Sequence, residues 1–111
     1  MHASFAAGVP TAIDYIPSFV DGAGGKSLLP AMWDIARPLI AGTFAPSLDD
    51  VAAAIRLLVS RARVVADGAG ALALAAALSG GAGAGRIVCI VSGGNIDAAK
   101  LGAILQGTTP G

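Results

Sequence analysis

Hydrophobic positions along the chain fall into short apolar runs that are separated by glycine and proline breaks. The clearest run, Ile87–Val91, is β-branched apart from its central cysteine, which is typical of a strand buried on both faces of a parallel sheet. Ser92, Gly93 and Gly94 end this run, and the glycines let the backbone turn sharply there. Asn95 is the predicted N-cap of a following helix. The pattern therefore predicts a strand, a glycine turn and a helix.

Three further helices are predicted upstream of this strand. One runs from Ser27 to Ala41, with Ser27 as its N-cap. A second opens at Ser47–Asp50, which resembles a capping box with aspartate in place of glutamate. The third is rich in alanine and follows Asp67 as far as Leu78. Short extended pieces are predicted at residues 43–45 and 64–66.

This order of elements predicts an α/β fold. We expect a small parallel sheet of two to three strands per chain, flanked by about four helices. Residues 1–18 are expected to be a lead-in segment, 19–107 the domain and 108–111 a tail. Because so small a sheet is marginal alone, we expect oligomerisation to complete the sheet or core, as a two-fold dimer with exchanged or edge-paired elements.

The composition agrees with burial against another copy. Hydrophobic residues make up 55% of the 111 residues and charged residues 13%, which leaves more apolar surface than so short a chain buries. The formal net charge of zero argues against a nucleic-acid partner. One cysteine fits a reducing compartment, and neither a secretory signal nor a membrane-spanning run is present. We therefore expect a cytoplasmic homo-oligomer that binds neither nucleic acid nor membranes.

Few residues point to chemistry without a further comparison. His2 is the single histidine, and Cys89 lies in mid-strand, where a packed thiol is commoner than a nucleophile. Asp21 lies at a glycine turn, where a structural role is the default. Dimerisation could nevertheless bring His2, Asp21 or Cys89 into a new cleft, and simple hydrolysis with or without a metal ion is an alternative function.

Two segments taken together resemble a known enzyme family. Residues 64–80 followed by 86–97 are similar to the C-terminal part of threonine/serine dehydratases, which are fold-type II enzymes that use pyridoxal phosphate (PLP) and are related to serine racemase. Residues 19–22 and 47–50 fall in the expected order. The Ser-Gly-Gly-Asn turn after an apolar strand is fairly specific, and the preceding alanine-rich helix strengthens it.

The resemblance implies roles for several residues. The serine that matches Ser92 hydrogen-bonds the pyridine nitrogen of PLP, within a cofactor-binding turn that includes Gly93 and Gly94. Asp67 stands in place of an acidic residue, usually glutamate, before the alanine-rich helix, and the resemblance makes it a further candidate cofactor-binding residue. Relatives often carry a cation near the position of Asp21, which makes Asp21 a candidate metal ligand.

The chain also departs from the family pattern. The Schiff-base lysine of the family lies in an N-terminal Ser-Phe-Lys motif, and a glycine-rich loop holds the phosphate; neither is matched here. Lys26 and Lys100 do not correspond to that lysine, and Pro17 replaces a glutamate expected near the cation. The leading hypothesis is a truncated dehydratase-like domain that is not a lyase by itself. A small hydrolase and a purely structural protein are the alternatives.

Overall fold

A computed structural model describes residues 1–111 of the chain. It contains five α-helices, a 3₁₀ turn and a π-helical turn, and no β-strand. The α-helices are α1 (His2–Ala7), α2 (Pro30–Ala36), α3 (Leu48–Leu57), α4 (Gly68–Leu78) and α5 (Ala98–Leu105). The 3₁₀ turn spans Asp21–Ala23 and the π-helical turn Leu58–Ala62. No helix is both long and apolar enough to cross a membrane.

The chain divides into two units. The first comprises residues 1–16 and 24–45, and the second comprises residues 17–23 and 46–111. The segment expected to be a lead-in, residues 1–18, contains α1.

The first unit is held together by aromatic packing and a buried hydroxyl. Phe5 of α1 and Trp33 of α2 meet edge to face with ring centroids 5.1 Å apart, a favoured geometry for aromatic pairs. Ser4 is fully buried, and its Oγ accepts a hydrogen bond from Thr11 N at 3.0 Å. The backbone N–H of Ile13 donates to the carbonyl of Lys26 at 2.8 Å. The Phe5–Trp33 contact and the bond from Ile13 to Lys26 join the two stretches of the first unit.

The helix predicted from Ser27 to Ala41 is shorter at both ends. It begins with Pro30 in the first turn after Leu29, and the side chain of Ser27 does not cap it. Proline has no N–H to satisfy and its fixed φ suits the first helical position, so the start shifts to Pro30. The helix ends at Ala36 although Arg37 keeps helical backbone angles, because Pro38 has no N–H to donate to the carbonyl of Asp34 and continue the hydrogen-bond series.

The second unit is built on α3. Ser47 Oγ accepts from Asp50 N and Asp50 Oδ2 accepts from Ser47 N, which confirms the predicted capping box. Helix α3 packs against α4 and α5, and it contributes four of the core residues. The buried core of this unit consists of Phe19, Val51, Ala52, Ala54, Ile55, Leu58, Ala66, Ala71, Ala75 and Ile104. Small residues on α4 let its backbone approach α3 closely.

The predicted parallel sheet is not confirmed by the structure of this chain. Residues 87–91, 43–45 and 64–66 have no regular secondary structure, and no backbone–backbone hydrogen bond joins residues 87–91 to another segment. A strand is defined by its ladder of hydrogen bonds to a neighbour. Residues 87–91 therefore have the apolar composition of a strand. They do not form one in this chain, because no second strand lies beside them to accept and donate the hydrogen bonds.

The N-cap predicted at Asn95 is also wrong, because Asp97 caps α5. Asp97 Oδ1 accepts from Ala99 N at 2.8 Å and from Lys100 N at 3.1 Å. Asn95 is held elsewhere, since its backbone N–H donates to a carboxylate at the start of α4. The chain therefore enters the helix two residues later than predicted.

Candidate functional site

The segment Ser92–Asn95 is bound to the N-terminal end of α4 by its backbone. Asp67 N donates to the carbonyl of Gly93 at 3.1 Å, and Asn95 N donates to Asp67 Oδ2 at 3.0 Å. The second of these bonds joins residues 28 positions apart in sequence. Together the two bonds fix the turn that follows the apolar segment against a helix start.

Asp67 acts at the same time as the N-cap of α4. Its Oδ1 accepts from Gly70 N at 2.7 Å, which is the expected bond from an N-cap side chain to the third helical residue. Each oxygen of this carboxylate therefore accepts one backbone N–H. Asp67 was predicted as a cofactor-binding residue; in the structure its side chain both starts the helix and holds the Ser92–Asn95 turn.

Three glycines permit this close approach. A Cβ placed on Gly93 would lie 2.5 Å from Asp67 Oδ2, and one on Gly94 would lie 2.7 Å from the carbonyl oxygen of Val65. A Cβ on Gly70 would collide with the backbone of Gly93, whose nitrogen would be 2.9 Å away. Any side chain at these positions would push the turn away from α4.

Ser92 is a polar side chain that this arrangement leaves available. It is exposed, and its hydroxyl makes no hydrogen bond within the chain. A serine hydroxyl can donate one hydrogen bond and accept two, and its hydrogen rotates to suit the partner. A ring nitrogen presented to this turn could therefore be bound without displacing an internal contact.

Asp21 lies near the same end of α4. The 3₁₀ turn Asp21–Ala23 contacts α4, and a Cβ on Gly22 would be 3.1 Å from Ala69 Cβ. A Cβ on Gly68 would lie 2.7 Å from the carbonyl oxygen of Phe19. The structure thus brings the Asp21 turn and the Ser92–Asn95 turn to one helix start. Asp21 does not belong to any group of three or more side chains suited to a metal ion.

Cys89 and His2 show no arrangement for nucleophilic catalysis. Cys89 Sγ is 3.6 Å from the carbonyl oxygen of Ala73 and donates to it weakly, and the side chain is partly buried. His2 Nδ1 lies 3.0 Å from Thr43 Oγ1 in the first unit. A thiol is activated by a base or a cation beside it, and the hydrogen bonds of Cys89 include neither.

Sequence reasoning missed two members of the site. Gly70 is the third residue of α4, so its N–H is the one that a capping aspartate at position 67 reaches, and the Asp67–Gly70 spacing was a usable signal. The bond from Asn95 to Asp67 had no such signal. It joins residues that are close only after the chain has folded.

Comparison with known proteins places most of the chain in one family. A family model described as pyridoxal-phosphate dependent enzyme matches residues 1–93. The biosynthetic L-threonine dehydratase IlvA of Mycobacterium leprae is 35% identical over 112 residues, which covers 96% of this chain and 26% of the relative. The catabolic L-threonine dehydratase TdcB of Escherichia coli K12 is 34% identical over 108 residues and covers 94% and 33% respectively. The chain therefore spans about a quarter to a third of these curated relatives.

A solved structure agrees with the sequence relatives. The crystal structure of the T.th. threonine deaminase superimposes with a TM-score of 0.74 at 32% identity, covering 86% of this chain and 35% of that one. The fold described above is thus similar to part of the threonine deaminase fold.

Proposed function

The chain belongs to the family of pyridoxal-phosphate dependent enzymes, and we propose that it forms the pyridine-nitrogen side of a threonine/serine dehydratase-like cofactor site. The observation that carries this proposal is Ser92, an exposed hydroxyl without an internal partner on a turn fixed by backbone hydrogen bonds. The chain corresponds to about a third or less of its relatives, so their activity is not assigned to it alone.

The residues present fit the ring of the cofactor. Ser92 would hold the pyridine nitrogen through a neutral hydrogen bond, and Gly93 and Gly94 keep side chains out of the turn beside it. Asp67 would keep this turn in place without touching the cofactor. When bound, PLP supplies the electron sink for elimination from an amino acid.

The residues present do not supply the covalent anchor. No lysine of this chain aligns with the Schiff-base lysine of the family. Lys26 and Lys100 are both exposed, and neither corresponds to that position. The phosphate-binding loop has no counterpart either. We therefore propose that the isolated chain is not a lyase, and that any binding of PLP to it is non-covalent and weak.

Binding of PLP and of its 1-deaza analogue, which has carbon in place of the ring nitrogen, tests this proposal. One net hydrogen bond is worth about 0.5–1.5 kcal/mol, so the chain should prefer PLP over the analogue by roughly fivefold. Equilibrium dialysis measures both affinities. Ser92→Ala should abolish the preference by lowering the affinity for PLP alone.

Ser79→Ala is the matched control, because Ser79 is an exposed serine whose Oγ donates to the carbonyl of Ala76 at the end of α4. It should leave the preference unchanged. Equal affinity of the unmodified chain for both ligands would remove the role proposed for Ser92. A visible absorbance band of bound cofactor that disappears when Lys26 or Lys100 is replaced would show that this lysine attaches PLP covalently. That result would contradict the proposal that binding is non-covalent.

A further inference from the structure

The sequence Asp-Gly-Ala-Gly occurs at residues 21–24 and again at residues 67–70. An aspartate followed by glycine is prone to spontaneous isomerisation, because glycine has no side chain to shield its backbone nitrogen from the neighbouring carboxyl group. The two tetrapeptides are chemically identical. A difference in reactivity between them in the folded chain therefore reports on the structure around each one.

The second tetrapeptide is held in an unreactive arrangement. Asp67 Oδ1 accepts from Gly70 N at 2.7 Å and Asp67 Oδ2 accepts from Asn95 N at 3.0 Å, so both carboxylate oxygens are engaged by N–H groups other than that of Gly68. Gly68 is buried in the first turn of α4, where a Cβ on it would lie 2.7 Å from the carbonyl oxygen of Phe19. For the carboxyl carbon to reach Gly68 N, both hydrogen bonds would have to break and the start of α4 would have to open.

The first tetrapeptide lacks these restraints. Asp21 and Gly22 are exposed, and neither the Asp21 carboxylate nor Gly22 N makes a hydrogen bond with a residue outside the 3₁₀ turn Asp21–Ala23. A 3₁₀ turn of this length has poor hydrogen-bond geometry and little rigidity of its own. The Asp21 carboxyl group can therefore turn toward Gly22 N without breaking a side-chain hydrogen bond.

We propose that Asp21 is a site of spontaneous isoaspartate formation and that the fold protects Asp67 from the same reaction. Gly22 N attacks the side-chain carboxyl carbon of Asp21. The new C–N bond forms, the bond from that carbon to the carboxyl hydroxyl breaks, and the N–H proton leaves with the hydroxyl group as water. Water then adds to the backbone carbonyl carbon of Asp21 in the resulting succinimide and breaks its bond to Gly22 N. The main chain now runs through the Asp21 side chain, the mass is unchanged, and water is the only other reactant.

The product lengthens the backbone by one carbon atom at a turn that packs against α4. A Cβ on Gly22 would already be only 3.1 Å from Ala69 Cβ, so this contact has little spare room. The added atom therefore changes how the Asp21 turn packs against the helix start that also holds the Ser92–Asn95 turn. The reaction itself does not depend on cofactor binding.

Prolonged incubation of the folded chain in neutral buffer, followed by digestion and electron-transfer tandem mass spectrometry, measures isoaspartate at the two positions separately. We expect it to accumulate at residue 21 at least about tenfold faster than at residue 67, because two hydrogen bonds must break before Asp67 reacts and each slows the reaction by a few fold. Incubation in guanidinium chloride is the matched control. Without the fold, the two identical tetrapeptides should isomerise at similar rates.

Asp21→Glu provides a second control. The corresponding ring would have six members and closes far more slowly, so the variant should lose the signal at residue 21 and keep the rate at residue 67. Equal rates at the two positions of the folded chain would overturn the proposal. It would also be overturned if unfolding raised the rate at residue 21 as much as the rate at residue 67, because the 3₁₀ turn would then protect Asp21 as well.

Discussion

Replacement of Asp67 by serine separates the two functions that its carboxylate performs. Serine is about as good an N-cap as aspartate, so Gly70 N keeps an acceptor and α4 keeps its start. The shorter side chain cannot also reach Asn95 N, which now bonds to Asp67 Oδ2. The variant therefore removes the tie to the Ser92–Asn95 turn and little else.

The magnitude follows from the lost bond. A hydrogen bond to a charged group is worth about 1.5–3 kcal/mol net, and the exposure of Asn95 selects the lower end, about 1.5 kcal/mol. Asp67→Ala loses the cap as well, which adds about 1 kcal/mol. With a urea dependence of about 1.5 kcal/mol/M, the unfolding midpoint should fall by about 1 M for serine and by about 1.7 M for alanine.

Urea unfolding followed by circular dichroism measures these midpoints, and amide hydrogen exchange locates the effect. The N–H of Asn95 should exchange faster in Asp67→Ser, whereas the N–H of Gly70 should stay protected. Asp97→Ser is the matched control, because Asp97 caps α5 and its side chain bonds only to Ala99 N and Lys100 N. It should leave the midpoint nearly unchanged.

The reasoning would be refuted if Asp67→Ser lowered the midpoint no more than Asp97→Ser did and left Asn95 exchange unaltered. In that case Asp67 would be an N-cap only, and the position of the Ser92 turn would depend on other contacts.

Two further predictions concern packing and pH. Gly70→Ala should destabilise the chain by about 1–3 kcal/mol, because the added Cβ meets the backbone of Gly93. Gly102→Ala in α5 should stabilise it by about 0.5–1 kcal/mol, because the added Cβ enters open space and alanine favours the helix. The urea unfolding midpoints of the two variants measure both effects. The hydrogen bonds from the Ser47 hydroxyl and backbone N–H lower the pKa of Asp50. The capping box should therefore stabilise α3 above about pH 4 and lose this contribution as pH falls through the depressed pKa, an acid-side decline in stability that Asp50→Asn should reduce.

Local features of this protein were predictable from the sequence alone. The capping box at Ser47–Asp50 and the alanine-rich helix after Asp67 were both predicted and confirmed, because each depends on residues three or four positions apart. The helix predicted from Ser27 to Ala41 is present as α2, but Ser27 was wrongly preferred as its cap, because α2 begins at Pro30. The family resemblance was likewise carried by short motifs and is confirmed by the match over residues 1–93.

Contacts between distant residues were decided only by the folded chain. The bond from Asn95 N to the carboxylate of Asp67 joins residues 28 positions apart, and no spacing in the sequence indicates it. Residues 87–91 have the composition of a strand, yet a strand requires hydrogen bonds to a neighbour, and the folded chain provides none. The sequence therefore determined which segments are apolar and where α3 and α4 start. Tertiary structure decided which backbone groups find a partner, because that depends on what lies beside them in space.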